Sequence, residues 1–137
     1  MCVNNMRPKV TVILVNYNTL SHTKECIQSI NSSSYKNINV VVVDNNSVED
    51  CQGLSDDFDN VVLIYNKNNF GFAIANNIGI DYALQEGAEY VLLLNNDTIV
   101  DKDCIENLVN YCEKNLRDGI VTGKILNYYE RDMIWYA

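Results

Sequence analysis

Positive charge, histidine, proline and long apolar runs are all scarce in this chain. Lys and Arg number 10 against 18 Asp and Glu, a formal net charge of −8. A protein that grips nucleic-acid phosphates needs a basic face, so that class is disfavoured. A small anionic ligand stays admissible, provided a metal ion supplies the positive charge. No apolar run approaches the roughly 20 residues of a membrane-spanning helix. The opening residues, MCVNNMRPKV, lack the apolar core of a secretion signal. The five cysteines are odd in number and never spaced CxxC, which disfavours a zinc cage or a disulfide framework. Reduced thiols in a cytoplasmic protein, free or at the inner face of a membrane, are the expectation. The single proline and the absence of biased tracts leave no linker to divide the chain.

What is present points to one folded unit. Hydrophobic residues make up 47 % and charged residues 20 %, which is neither disordered nor fibrous. The 137 residues suit one domain, and chains of this size hide roughly two-thirds of their unfolded surface. Asparagine occurs 21 times, often in pairs.

Four short runs rich in β-branched or leucine residues, at 10–15, 39–43, 61–65 and 90–94, read as strands buried on both faces, the signature of a parallel sheet. Between them lie helical patterns. Leu20, Thr23, Ile27 and Ile30 mark a helix over 19–30. Ser47-Val48-Glu49-Asp50 resembles a capping box and predicts a short helix over about 48–58. Ala73, Ile74, Asn77, Ile78, Tyr82 and Leu84 mark a third helix that ends at Gly87. Ile105, Leu108, Val109, Cys112 and Leu116 mark a fourth, closed by Asp118-Gly119, and 120–126 reads as a fifth strand. Strand and helix alternate throughout, so the fold class is α/β, a mainly parallel sheet with helices on both faces.

In such sheets ligands bind outside the carboxyl ends of the strands. The residues there are Asn16-Tyr17-Asn18, Asp44-Asn45-Asn46-Ser47, the loop 66–71, and Asn95-Asn96-Asp97. Any one polar loop is unremarkable; four at equivalent positions place polarity along one edge. Amide and carboxylate groups suit the edges of a base and the hydroxyls of ribose or sugars. Lys67 is the one cation among them. A diphosphate here would need a divalent cation, and Asp97 is the best-placed carboxylate to hold one. Neither GxGxxG after the first strand nor GxxxxGK[ST] occurs, which disfavours NAD, FAD and ATP in those modes.

The segments VTVILVNYNTL, VVVDNNSVED, NKNNFGFAIANNIGI and YVLLLNNDTIV, in this order and spacing, resemble the N-terminal half of a family 2 glycosyltransferase of the GT-A fold, in its rhamnosyltransferase-like branch. The likeness runs from about Lys9 to the last residue. It implies that Val15, Asn16, Tyr17 and Asn18 lie against the nucleotide base, that Asp44 bonds base or ribose with Asn46 adjoining, and that Asn69, Gly71, Ala75 and Asn76 pack beside the nucleoside. Asn95, Asn96 and Asp97 occupy the place of the DxD motif, where Asp97 would bind Mn²⁺ or Mg²⁺ and through it the donor diphosphate. The first motif position is Asn95, which leaves one metal carboxylate instead of two. The expected reaction is inverting, metal-dependent transfer of a sugar from a UDP- or dTDP-linked donor to a saccharide or lipid-linked acceptor in cell-surface polysaccharide synthesis. The family's catalytic base lies further along than any residue assignable here. Residues 1–137 are therefore expected to be the donor-binding portion of one GT-A domain, without the acceptor portion and inactive alone.

Plainer readings stand beside these. Asp44 could anchor a helix N-terminus, Asn45 suits a turn, and Asn16 and Asn18 fit either a turn or a base contact. Asp101 and Asp103 suit a helix start, and His22 an exposed helix surface. Cys26 and Cys112 suit the core. Tyr128, Tyr129, Trp135 and Tyr136 could be core, surface or the beginning of an acceptor site. The alternative functions are a nucleotide-sugar-binding fragment without catalysis and a sugar-nucleotide pyrophosphorylase. The latter wants a Gly- and Arg-rich loop where NYNTLSHTK stands. A phospho-receiver domain wants paired acids where Asn16-Tyr17-Asn18 stands.

Overall fold

The computed structural model describes residues 7–130 and 132–136. Residues 1–6, which include Cys2 and most of the stretch read for a secretion signal, lie outside the described residues, as does the side chain of Tyr136.

Each of the four apolar runs is a strand: β1 (Val10–Asn16), β2 (Ile38–Asp44), β3 (Val61–Tyr65) and β4 (Tyr90–Leu94). All neighbours pair in parallel, in the order β3-β2-β1-β4. The helices are α1 (Leu20–Asn31), α2 (Gly53–Asp57), α3 (Phe72–Gln85) and α4 (Cys104–Lys114). Strand side chains alternate between two covered faces, which explains why the runs are apolar but for Thr11 and Asn39. Val12, Leu14, Val40 and Val42 pack with Cys26, Ile27 and Ile30 of α1, Leu54 of α2, and Ile105 and Val109 of α4. Ile13, Val41 and Val43 pack on the other face with Ala75 and Ala83 of α3. Each such side chain, fully buried, contributes about 1.5–3 kcal/mol. The Lys24–Asp57 ion pair, half-exposed at both ends, is worth about 0–1 kcal/mol. The two apolar layers hold the fold.

The helix over α3 lies where its pattern placed it, with Gly87 at φ +74 just past its end, but it buries a different face. Ala75, Gly79 and Ala83 face the sheet, whereas Ile74 and Leu84 are 52 % and 60 % exposed. The reason is how closely α3 approaches. A Cβ on Gly79 would sit 2.5 Å from Ile13 Cγ2 and 3.3 Å from Val43 Cγ2, so only small residues fit the contact. Ile13 is itself fully buried and has no room to move away. Gly79→Ala is therefore expected to lower stability. Overpacking costs about 1–3 kcal/mol, and better helix propensity returns about 1. The net loss of up to about 2 kcal/mol is a fall of up to roughly 6 °C in thermal midpoint; a higher midpoint would show that α3 has slack.

Two expectations are corrected. The helix over 48–58 is only Gly53–Asp57, because the capping-box serine is engaged elsewhere: Ser47 donates its hydroxyl and its N–H to Asp44. Asp50 likewise accepts from the Gln52 N–H before the helix begins. The fifth strand over 120–126 is not part of the parallel sheet. Only β5 (Ile125–Leu126) is extended, pairing antiparallel with β6 (Ile134–Tyr136). Tyr128, Tyr129 and Trp135, at 53 %, 90 % and 75 % exposure, are surface and not core. Among the described residues no helix is long and apolar enough to cross a membrane.

The chain runs outward from β1 to β2 to β3, then returns to place β4 on the other side of β1. Strand order reverses between β1 and β4, and their carboxyl ends flank the crevice where such sheets bind ligands.

Candidate functional site

Two of the strands extend one polar residue past their apolar run. Asn16 ends β1, Asp44 ends β2, and the two are register partners. Asp44 is 3 % exposed and Asn16 fully buried. Asn16 Nδ2 donates to Asp44 Oδ1 at 2.8 Å. Ser47 donates its hydroxyl to the same oxygen at 2.6 Å and its N–H to Oδ2 at 2.9 Å. The Cys51 thiol lies 3.4 Å from Oδ1. Burial disfavours the ionised carboxylate, but the hydrogen bonds from Ser47, Asn16 and Cys51 outweigh it and hold the Asp44 carboxyl below its ordinary range. Burial first, and the Asp44 charge second, push the Cys51 thiol up to about 12, so it keeps its proton and donates. Asp44 is thus a buried carboxylate in a fitted cradle, more than a helix-terminal anchor.

Asn18 and Asn46 both adopt left-handed backbone, φ 54 and 68, where Asn is tolerated. Asn18 Oδ1 accepts from the Val48 N–H, and Asn18 N–H donates to Ser47 Oγ, so the β1 and β2 loops are laced together. Tyr17 is 49 % exposed beside them. Val15 is half-buried against the α3 layer.

Asn45, read as a turn residue, does more. It is 2 % exposed. Its Nδ2 donates to Asn69 Oδ1 at 2.8 Å, and its Oδ1 accepts from Asn66 Nδ2 and the Phe70 N–H. Asn69 in turn accepts from the Gly71 N–H, and Gly71, at φ +83, precedes α3. Asn45 therefore pins the 66–71 loop to the end of β2. Asn45→Ala is expected to cost about 1–3 kcal/mol and to speed amide exchange at Phe70, with exchange in β2 unchanged. Protection kept at Phe70 would mean the loop holds itself.

At the third edge, Asn95 and Asp97 are exposed and Asn96 is half-buried. Asn96 Nδ2 donates to the hydroxyls of Thr19 and Thr23, each at 2.7 Å, so the end of β4 is fastened to the start of α1. The structure thus gathers Asn16, Asn18, Asp44, Asn46, Asn95, Asn96 and Asp97 along one sheet edge. Two residues sit differently. Ala75 is fully buried against the sheet, and Asn76 is 4 % exposed, donating to Phe72 O while its Oδ1 has no hydrogen-bond partner. Asp101 and Asp103 precede α4, with the Asp103 N–H bonded to Asp101, as a helix start requires. His22 is exposed on α1, Cys26 is buried, Cys112 is half-buried, and Lys67 is exposed. A groove of about 520 Å³ between α4 and 118–124 touches none of the strand-end clusters.

Among the described residues no group of three or more His, Cys, Asp or Glu forms a self-sufficient metal cage. One exposed carboxylate beside two asparagine amides does fit Mg²⁺ or Mn²⁺ completed by phosphate oxygens and waters, which is how those ions are commonly held.

A parallel α/β sheet with carboxylate and amide groups at the carboxyl ends of its strands defines the general class of open-sheet α/β proteins, whose ligands bind at that edge. The family model for Glycosyl transferase family 2 matches residues 11–137, and the chain belongs to that family. It is 32 % identical over 135 residues to glycosyltransferase GlyG of Streptococcus pneumoniae serotype 4, covering 96 % of this chain and 44 % of that protein. It is 29 % identical to glycosyltransferase GlyA of the same organism over 132 residues, 93 % of this chain and 18 % of that one. The chain thus spans less than half the length of these relatives. Among solved structures, TarS 1-349 of S. aureus in complex with UDP-GlcNAc superposes with TM-score 0.70 at 17 % identity, covering 90 % of this chain and 42 % of that one. Mannosyltransferase PcManGT of Pyrobaculum calidifontis, in complex with GDP-Man and Mn²⁺, gives TM-score 0.70 at 25 % identity over 90 % of this chain and 37 % of that one. The fold is that of a GT-A-like α/β domain.

Thr19, Thr23 and Cys51 complete the site from outside the strand-end clusters, while Ser47 and Asn66 stand within those clusters without a role assigned from the sequence. Thr23 carried one signal: a hydroxyl on the apolar face of a helix needs a buried partner.

Proposed function

We propose that residues 1–137 form the donor-binding portion of a glycosyltransferase that moves a sugar from a nucleoside diphosphate to a saccharide or lipid-linked acceptor, with inversion and with a divalent cation. The observation that carries this is the placing of two unlike groups along the carboxyl edge of the sheet, one ending β2 and one just past β4. One is a buried, ionised Asp44 able to accept from base or ribose; the other is an exposed Asp97 beside Asn95 and Asn96. Family membership supports the transferase class, and the GDP-Man and Mn²⁺ bound by PcManGT support a nucleotide sugar and a metal.

In this reading Asp44 orients the nucleoside, with Asn46 and Tyr17 beside it, and the 66–71 loop with Gly71 lets backbone approach the ligand. Asn69, Ala75 and Asn76 support that wall. Asp97, with Asn95, would hold the cation. When bound, the cation supplies positive charge that the −8 chain lacks, to offset charge on a leaving diphosphate. No residue of this chain is assigned as the base that deprotonates an acceptor, and the donor base, sugar and acceptor are part of the proposal only as classes.

The test is thermal unfolding with UDP, dTDP or GDP, each with and without Mn²⁺. At 100 times its Kd a ligand adds about 2.7 kcal/mol, or roughly 8 °C for a domain of this size. The expected result is a shift of that order with at least one nucleotide and larger with metal; no shift with any of the three rejects the proposal.

A further inference from the structure

The side chains that join β4 to β2 form a hydrogen-bond chain with only one possible direction. The Asp44 carboxylate can only accept. Asn16 must therefore turn Nδ2 toward Asp44 Oδ1, which leaves Asn16 Oδ1 facing Thr23 Oγ1 at 2.8 Å and Thr19 Oγ1 at 3.3 Å. That amide oxygen can also only accept, so it takes the hydroxyl protons. Thr23 has a longer alternative, Thr19 O at 3.3 Å. The hydroxyl oxygens are then left as acceptors, and Asn96 meets both of them with Nδ2 at 2.7 Å. Each link dictates the next, and aligned links polarise one another. The chain reaches from Asn96, next to Asp97, to the carboxylate of Asp44. Thr23, fully buried on α1, lies at its middle and outside every strand-end cluster.

The two carboxylate oxygens of Asp44 are used unequally. Oδ1 accepts from Asn16, Ser47 and Cys51, whereas Oδ2 accepts only from the Ser47 N–H among the described residues. Oδ2 keeps a lone pair for a ligand hydroxyl or N–H.

We infer that Thr23 is a positioning residue for the nucleoside end of the site: its hydroxyl fixes the Asn16 amide, which holds Asp44 with Oδ2 free to accept from a nucleotide. This rests on the donor-site reading above. Thr23 touches no ligand; it acts through Asn16.

The test compares Thr23→Val, which keeps the shape and deletes the hydroxyl, with Thr23→Ser, which keeps the hydroxyl. Binding of UDP and GDP to the 137-residue chain is measured by calorimetry with and without Mn²⁺. Thr23→Val is expected to weaken binding about tenfold in both conditions, the size of one hydrogen bond to a charged group. The factor by which Mn²⁺ strengthens binding should stay as in the wild type, and Thr23→Ser should restore affinity. Three results overturn the inference: wild-type affinity in Thr23→Val, equal weakness in Thr23→Ser, or a loss confined to the Mn²⁺-dependent part. If Thr23→Val does not fold, Asn96→Ala cuts the chain at its half-exposed end. It should lower metal-free affinity about threefold, a fraction of the full bond, and unchanged metal-free affinity overturns the inference. Failure of the wild type to bind either nucleotide overturns the donor-site reading and this inference with it, a result no variant can mimic.

Discussion

Asp97→Ala is expected to abolish most of the stabilisation that Mn²⁺ adds to nucleotide binding while leaving the unliganded fold intact. The carboxylate is exposed at the end of β4 and no described side chain donates to it, so its removal leaves no buried group unpaired. What disappears is the one charged oxygen donor in a set otherwise made of amides. A cation held by a single protein carboxylate and by the ligand's phosphates depends on that carboxylate for its attachment to the chain. Take a hundredfold loss of affinity for the metal–nucleotide pair, at a concentration that saturates the wild type 100 times over. The stabilisation then falls from about 2.7 to about 0.4 kcal/mol, or from roughly 8 °C to about 1 °C. Asn95→Ala, which removes a neutral donor, should cost far less. Equal shifts for Asp97→Ala and wild type would move the metal, if one binds, to other residues. An Asp97→Ala chain that melts well below the wild type without ligand would instead assign Asp97 a structural role.

The parts of this site that the sequence announces are those made by local rules. A strand buried on both faces cannot hide its identity, because nearly every position is apolar until the sheet edge. The polar residues that end β1 and β2 and follow β4 therefore mark the edge, and Asn16, Asp44 and Asn95 fall there. The parts that stay hidden depend on contacts far along the chain. Asn45 has the same local appearance as Asn46, yet Asn46 is exposed and Asn45 is buried, because the loop 66–71 folds over it and supplies both donors and an acceptor. The partners of Asn16 are hidden likewise: Thr19 and Thr23, one helical turn apart, occupy its oxygen. Ser47 looks like a helix cap until Asp44, three residues earlier, takes its hydroxyl.

Apolar pattern misleads for a related reason. Six residues of α3 suggested a broad apolar face, but the face that docks is the one with the least side chain. Helix and sheet approach until Gly79 meets Ile13 and Val43, and the larger Ile74 and Leu84 are left outside. The run at 120–126 has strand-like composition but no neighbour in the parallel sheet. Only Ile125 and Leu126 find a partner, in Ile134–Tyr136, and both stay about half exposed. β-Propensity records a fit to a pleated, half-buried surface, and without that surface it decides little.

Asp44→Ala is expected to damage both the fold and the site, and the pH dependence separates the two. Removing the carboxylate strands the Ser47 N–H and the Ser47 hydroxyl, and leaves Asn16 Nδ2 only Ser47 Oγ and Cys51 Sγ as acceptors, in a place with 3 % exposure or less for Asp44 and Asn16. Unpaired buried donors cost about 1–3 kcal/mol each, partly relieved by water entering the vacated volume, so a loss of about 3 kcal/mol is expected. At roughly 3 °C per kcal/mol that is about 9 °C in thermal midpoint. In the wild type the carboxyl titrates below its ordinary range when folded, because Ser47, Asn16 and Cys51 together favour the anion more than burial disfavours it. The unfolded chain therefore binds this proton more readily. The stabilisation it gives is complete well above about pH 4, the ordinary carboxyl value, and fades as pH falls through the lower folded value. Wild-type stability should accordingly decline on the acid side more steeply than that of Asp44→Asn, which keeps the shape and carries no titrating group. Nucleotide affinity should be lost in both variants at neutral pH, since neither offers an anion to base or ribose. If Asp44→Asn bound nucleotide as the wild type does, the buried carboxylate would be a structural pin for the β1 and β2 loops, and recognition of the nucleoside would fall to the exposed residues Tyr17, Asn46 and Asn69 around it.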